Sequence, residues 1–249
     1  MTFRLKLLGG AALFADESPL SGRATQKRRI ALLALLATGG EAGVSRDRLM
    51  AILWPESDSE RGRHLLSDSA YRINQALGGE AIVAIGDALA LNASRVSSDL
   101  AEFRAACDRG AWQAAVSLYG GPLLDGFHIS DSAEFERWTD TERDRLANRY
   151  ARAVEQLANE RWRAGDAMGA VDAWRRLTTH DPLSARVALE YMKALDAAGD
   201  RAAAIRHARV HSALLDQELG AEPDPAVESY AAQLCAGTYT LSLHDALPI

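Results

Sequence analysis

The chain has 249 residues, 48% of them hydrophobic and 25% charged, and a formal net charge of −6. That length suffices for a large core and argues for two domains, while the longest uninterrupted apolar run, residues 30–37, is far too short to span a bilayer. The only cysteines, Cys107 and Cys235, leave no zinc-type spacing and no disulfide framework, which suits a reducing cytosol.

Residues 1–15 faintly mimic a signal peptide, with Arg4 and Lys6 ahead of an apolar stretch. The Gly9-Gly10 pair interrupts that stretch and its alternation favours a strand instead. A first helix is expected over residues 26–37, where Lys27, Arg28 and Arg29 precede Ile30, Leu32, Leu33, Leu35 and Leu36, a buried block with a basic start. Gly39-Gly40 ends it. Ser45 and Asp47 then supply a cap and a first-turn charge for a second short helix carrying Leu49, Ile52, Leu53 and Trp54, which Pro55 stops.

Ser57 and Glu60 have capping-box spacing, so a third helix starts near Asp58. Its apolar residues Leu66, Ala70, Ile73 and Leu77 share one narrow face at about 100° per residue. Arg61, His64, Asp68, Tyr71, Arg72 and Gln75 lie on the other side, a set able to hydrogen-bond base edges or phosphates, or simply a solvated face. After Gly78-Gly79, residues 82–85 and 88–91 flank Gly86-Asp87 and read as a hairpin. Three helices followed by a hairpin spell a winged helix-turn-helix. The hairpin tip carries no Lys or Arg, and Arg95 is the nearest cation.

Three segments, Phe3-Arg4-Leu5-Lys6-Leu7-Leu8-Gly9, Ser45-Arg46-Asp47-Arg48-Leu49 and Leu53-Trp54-Pro55, resemble the response-regulator type of winged helix in bacterial transcriptional activator domain proteins. The resemblance implies a small N-terminal sheet ahead of three helices, with the third helix laid in the major groove. Asn74 and Gln75 stand where family members carry arginine, and Asp68 sits mid-face, so weaker phosphate anchoring and a different base preference are expected.

From Asp99 onward helices follow one another, beginning at Asp99 and Glu102, which again have capping spacing. Gly165-Asp166 and Gly199-Asp200 recur 34 residues apart, the tetratricopeptide period, and Gly110-Ala111-Trp112 starts a less regular third unit. Such helix pairs stack and leave grooves for peptides or other domains. A long helix over residues 132–164 supplies Phe135, Trp138, Leu146, Tyr150, Val154 and Leu157 to the core, while Asp140, Glu142 and Asp144 alternate with Arg137, Arg143 and Arg145 as solvated ion pairs.

This half resembles the activator domain of the same family through the segment Tyr119-Gly120-Gly121-Pro122-Leu123-Leu124-Asp125-Gly126-Phe127, through Glu134-Phe135-Glu136-Arg137-Trp138 and Asp181-Pro182-Leu183, and through Leu219-Gly220-Ala221-Glu222-Pro223-Asp224-Pro225. The likeness spans about residues 3–234 and implies self-association and recruitment of RNA polymerase. Residues 239–249 look like a translated sequencing adapter, which would place the natural protein's continuation beyond Thr238.

No phosphate-binding loop, dinucleotide fingerprint or nucleophile elbow is present, so no enzyme, cofactor or metal is expected. His207 and His211 lie four apart on one helix face but lack a third ligand. Residues 1–100 carry 12 Lys or Arg against 11 Asp or Glu, a net of +1, and the remainder carries 16 against 23, a net of −7. The acidic excess therefore belongs to the half expected to face protein.

The expected fold is multidomain and mainly α: a winged helix-turn-helix over 1–97, then an all-α tetratricopeptide-like array over 98–238. The expected function is a cytoplasmic, DNA-binding transcriptional activator with double-stranded DNA and RNA polymerase as partners, able to form homo-oligomers. Arg61, His64, Asp68, Tyr71, Arg72 and Gln75 would read bases, and Arg28, Arg29, Arg46 and Arg48, beside Arg23 and Lys27, would position phosphates. The competing expectation is a protein-binding adaptor whose winged helix no longer meets DNA.

Overall fold

The computed structural model describes the backbone of residues 2–244 and the side chains of residues 2–236 apart from Arg23. The Arg23 side chain of the basic cluster, and the side chains of the adapter-like segment 239–249, lie outside the described residues. The chain forms two compact units that divide between Tyr150 and Ala151.

In the first unit, β1 (Phe3–Lys6) buries Phe3 and Leu5 and turns Arg4 and Lys6 outward, as a pleated strand with one covered face must. It pairs antiparallel with β2 (Ala12–Ala15), which pairs in turn with β3 (Ser18–Pro19). Next come α1 (Lys27–Gly39), β4 (Val44–Ser45), α2 (Arg46–Leu53) and α3 (Ser59–Ala76), then β5 (Ile82–Ile85), β6 (Ala88–Leu91) and β7 (Val96–Ser98). The expected strand, three helices and hairpin are all present. A second small sheet has the order β4-β6-β5, so the hairpin gains a third strand from just ahead of α2.

β7 completes the first sheet by pairing parallel with β1, Phe3 opposite Val96. Sequence reading misses this strand, because three residues carry no period and their partner lies far away in the chain. α1 is buried along its whole length from Arg29 to Ala37, the expected behaviour of a helix apolar on every side.

Two caps differ from expectation. α3 is capped by Asp58, whose Oδ1 accepts from the Arg61 N–H at 2.8 Å, while the Ser57 N–H closes a turn onto the Trp54 carbonyl at 3.1 Å. α4 (Asp99–Asp108) is capped by Ser98, whose Oγ accepts from the Ala101 N–H at 3.1 Å. This releases Asp99 for another role. Its buried carboxylate accepts from the Leu7 N–H at 2.9 and 3.0 Å, from the Leu8 N–H at 3.0 Å and from the Leu100 N–H at 2.7 Å, tying α4 to the end of β1.

α4 packs on α1, β1 and β7. The expected boundary at 97/98 falls inside β7, just short of the start of α4, and packing carries the first unit on through α4, α5 (Trp112–Leu118) and α6 (Ala133–Arg163) as far as Tyr150. The Gly120–Leu124 stretch runs beside residues 7–10, with the Leu124 N–H donating to the Leu7 carbonyl at 2.8 Å and the Gly9 N–H to the Pro122 carbonyl at 2.9 Å. Gly9 has φ +77°, and a Cβ there would lie 2.6 Å from the Gly120 carbonyl oxygen, so only glycine fits. Phe135 and Leu146 are buried and Tyr150 stacks on Tyr119 with centroids 4.3 Å apart, the packing role expected of them.

The second unit holds the rest of α6, then α7 (Ala167–His180), α8 (Ala185–Ala197), α9 (Arg201–Leu219) and α10 (Pro225–His244). The 34-residue recurrence has a local cause. At each turn the aspartate N–H reaches back five residues, Asp166 to the Arg161 carbonyl and Asp200 to the Leu195 carbonyl, both at 2.9 Å. The same aspartates then cap the next helix, accepting from the Gly169 and Ala203 N–H groups at 2.9 Å. In the first unit the Ala111 N–H makes the equivalent bond to the Ala106 carbonyl at 2.9 Å, but α5 has no side-chain cap, which is why that unit reads as irregular.

Candidate nucleic-acid interface

α3 buries Gly62, Leu66, Ser69 and Ile73 and leaves Arg61, Arg63, His64, Ser67, Tyr71 and Gln75 exposed. Most of the expected reading face is therefore at the surface. Arg63 and Ser67 were missed, although their signal was available: they stand eight and four residues before Tyr71, on the same outward row. Tyr71, 64% exposed, sits in the middle of that row and offers a flat ring with a hydroxyl at its tip.

Asp68 and Arg72 belong to the flank of the helix and to each other. The Arg72 Nε donates to both Asp68 oxygens at 2.8 Å, and an Arg29 Nη approaches the same carboxylate at 3.9 Å. That hydrogen bond is the largest cause holding the Asp68 carboxyl below its ordinary range and the Arg72 guanidinium above its own. A carboxylate so engaged with guanidinium donors has little left to offer a cytosine amino group, and Arg72 spends its Nε inside the protein.

The expected phosphate contacts separate by burial. Arg29 is only 8% exposed and turned inward, a correction to its place among the phosphate-positioning residues that follows from the all-round burial of α1. Arg28 is half-buried and donates to the Ser130 carbonyl at 3.3 Å. Arg46 is half-buried at the start of α2, and Arg48, two residues on, is exposed. At the hairpin, Ile85 is 47% exposed, and the Asp87 carbonyl accepts from the Arg46 N–H at 3.3 Å. Arg95 is no free cation beside the hairpin, because its Nη2 donates to the Gly78 and Gly79 carbonyls at 2.7 and 3.4 Å and fastens the end of α3.

His207 and His211 lie in the second unit. His211 is buried with its Nδ1 3.1 Å from the Pro182 carbonyl, and His207 lies edge-on to Tyr191 with centroids 4.8 Å apart. Among the described residues no group of three or more His, Cys, Asp or Glu side chains could hold a metal ion. No helix among them is long and apolar enough to cross a membrane.

The chain is mainly helical: three helices precede a hairpin in its first unit, and helices follow one another from α4 onward. Residues 87–234 match the family described as bacterial transcriptional activator domain, and the chain belongs to that family. Among solved structures it is similar to Mycobacterium tuberculosis EmbR, determined in complex with a low affinity phosphopeptide, at 19% identity and a TM-score of 0.67. The match covers 94% of this chain and 65% of the EmbR chain, and at that identity it speaks for the fold alone. No curated protein matches the chain.

Proposed function

We propose that this chain is a DNA-binding transcription regulator whose winged helix is of the response-regulator type, with α3 as the helix that enters the major groove. The observation that carries this reading is the exposed row Arg63, His64, Ser67, Tyr71 and Gln75, set on a helix whose opposite face is fully committed to the core. Such a row combines base-edge hydrogen bonding with an apolar surface for a thymine methyl group. Arg61 and Arg48 are exposed cations that would position phosphates, and Arg28 and Arg46 would contribute from half-buried positions. The remaining helices would serve self-association and contacts with RNA polymerase, activating transcription inside the cytoplasm without catalysis.

The adaptor reading draws on the hairpin tip, which carries Asp87 and the exposed Ile85 but no Lys or Arg, and on the Asp68–Arg72 pair. Salt separates the two. Duplexes selected from a random pool and titrated by fluorescence anisotropy should bind the regulator, with affinity falling steeply between about 50 and 200 mM salt, whereas an adaptor binds none at either salt. Arg63→Ala should weaken the selected duplex more than Arg72→Ala does, because the Arg72 Nε is already occupied. The reverse order would move the reading face to the flank of α3.

A further inference from the structure

The end of α1 and the middles of α4 and α6 border a recess of about 200 Å³ lined by Thr38, Arg104, Arg145, Leu146 and Arg149. Every charged residue in that lining is an arginine. Two of the three guanidinium groups have structural partners: the Arg104 Nη1 donates to the Thr38 carbonyl at 2.8 Å, and an Arg149 Nη2 donates to the Arg104 carbonyl at 3.2 Å and to Asp108. These bonds fix the two groups in place.

The third makes an ion pair with Glu142 and keeps most of its side chain in solvent. Arg145 has a side chain 75% exposed at the recess, and its nearest carboxylate oxygen, on Glu142, is 3.6 Å away. That same Glu142 is 12% exposed and shared with Arg104, whose Nη2 lies 3.4 Å from it. Counter-charge is therefore short on one side: Glu142 serves two arginines, and Asp108 serves Arg149 from an exposed position. Burial is the largest cause lowering the Arg104 pKa; Glu142 opposes it, Arg145 and Arg149 lower it further and Asp108 raises it, so the arginines repel one another against a counter-charge of two carboxylates.

We infer that this recess is an anion site that takes a phosphoryl group, held by the guanidinium groups of Arg104, Arg145 and Arg149. Planar forked donors lining one small polar recess match the tetrahedral oxygens of phosphate better than they match a single carboxylate. The volume admits a phosphoryl group and leaves whatever carries it outside. The site lies apart from the exposed row of α3 and does not depend on the DNA reading.

The test is isothermal titration of the full chain with inorganic phosphate, pyrophosphate and adenosine diphosphate, in sodium chloride at matched ionic strength, beside Arg145→Gln. Arg145 is exposed, so the variant should fold as the parent does, and circular dichroism checks this. Saturable binding of at least one of the three, weakened about tenfold or more in Arg145→Gln, is the expected result. Tighter binding of the nucleotide than of both inorganic anions identifies a phosphorylated small molecule as the source, and equal binding identifies a free phosphate. Absence of saturable binding, or equal binding by parent and variant, overturns the inference.

Discussion

Asp99 shows how far one residue's role can move from what its neighbours suggest. Its spacing to Glu102 advertises a helix cap, yet Ser98 takes that position, and the carboxylate instead gathers N–H donors from Leu7, Leu8 and Leu100. Asp99→Asn keeps the size but replaces one acceptor oxygen with a donor facing an N–H, which should cost about 1 to 3 kcal/mol in urea unfolding. The pKa of Asp99 is raised, with burial the largest cause and the three backbone hydrogen bonds opposing it. Because the folded state then holds the proton more tightly than the unfolded chain, the group's stabilisation is complete below the ordinary carboxylate range and declines as pH rises through the raised value. The gap between parent and Asp99→Asn should therefore be wider at about pH 4 than at about pH 7, and a gap that widens with pH would refute the assignment.

Among the elements, α3 has the sharpest division of labour. Leu66, Ile73 and Leu77 are buried, as their spacing of seven and four residues requires, and the polar row faces out. Ile73→Ala should cost about 2 to 5 kcal/mol by opening a cavity against α1 and α2, measured by chemical unfolding. A loss near zero would mean that the helix is not anchored by this face. The Asp68–Arg72 pair was beyond sequence reading in one respect: their spacing of four allows the contact, but the approach of Arg29 from α1 is a matter of packing. Arg63 and Ser67, by contrast, were legible from the helical period.

Across the whole molecule the charge divides unevenly, a net of +1 over residues 1–100 against −7 over the remainder, and the proposed regulator would turn the first part to DNA and the acidic remainder to protein. The second unit carries its own sensitivity to acid. His207 is lowered from its ordinary value of 6.5, chiefly by burial and then by His211, with the Tyr191 ring against it. A histidine whose folded pKa is depressed leaves stability untouched while it is neutral in both states. As pH falls below the unfolded value the unfolded chain takes up the proton first, so the folded state loses ground until pH reaches the folded value. Thermal unfolding should show a Tm that drops as pH is lowered from about 7 to about 5, with a shallower drop in His207→Gln. An equal drop in both proteins would remove His207 as the cause.

Local patterns were enough to place the helices, the hairpin and the recurring Gly-Asp turns, because helical period, capping aspartates and glycine turns act over a few residues and are written in consecutive positions. Tertiary packing alone decided the rest. It set β7 beside β1, turned Arg29 inward, spent Arg95 on the end of α3, converted Asp99 from a cap into a clasp and carried the first unit on to Tyr150. Each of those outcomes depends on which distant backbone or charge a side chain meets once the core has closed, and the chain's order does not record that distance.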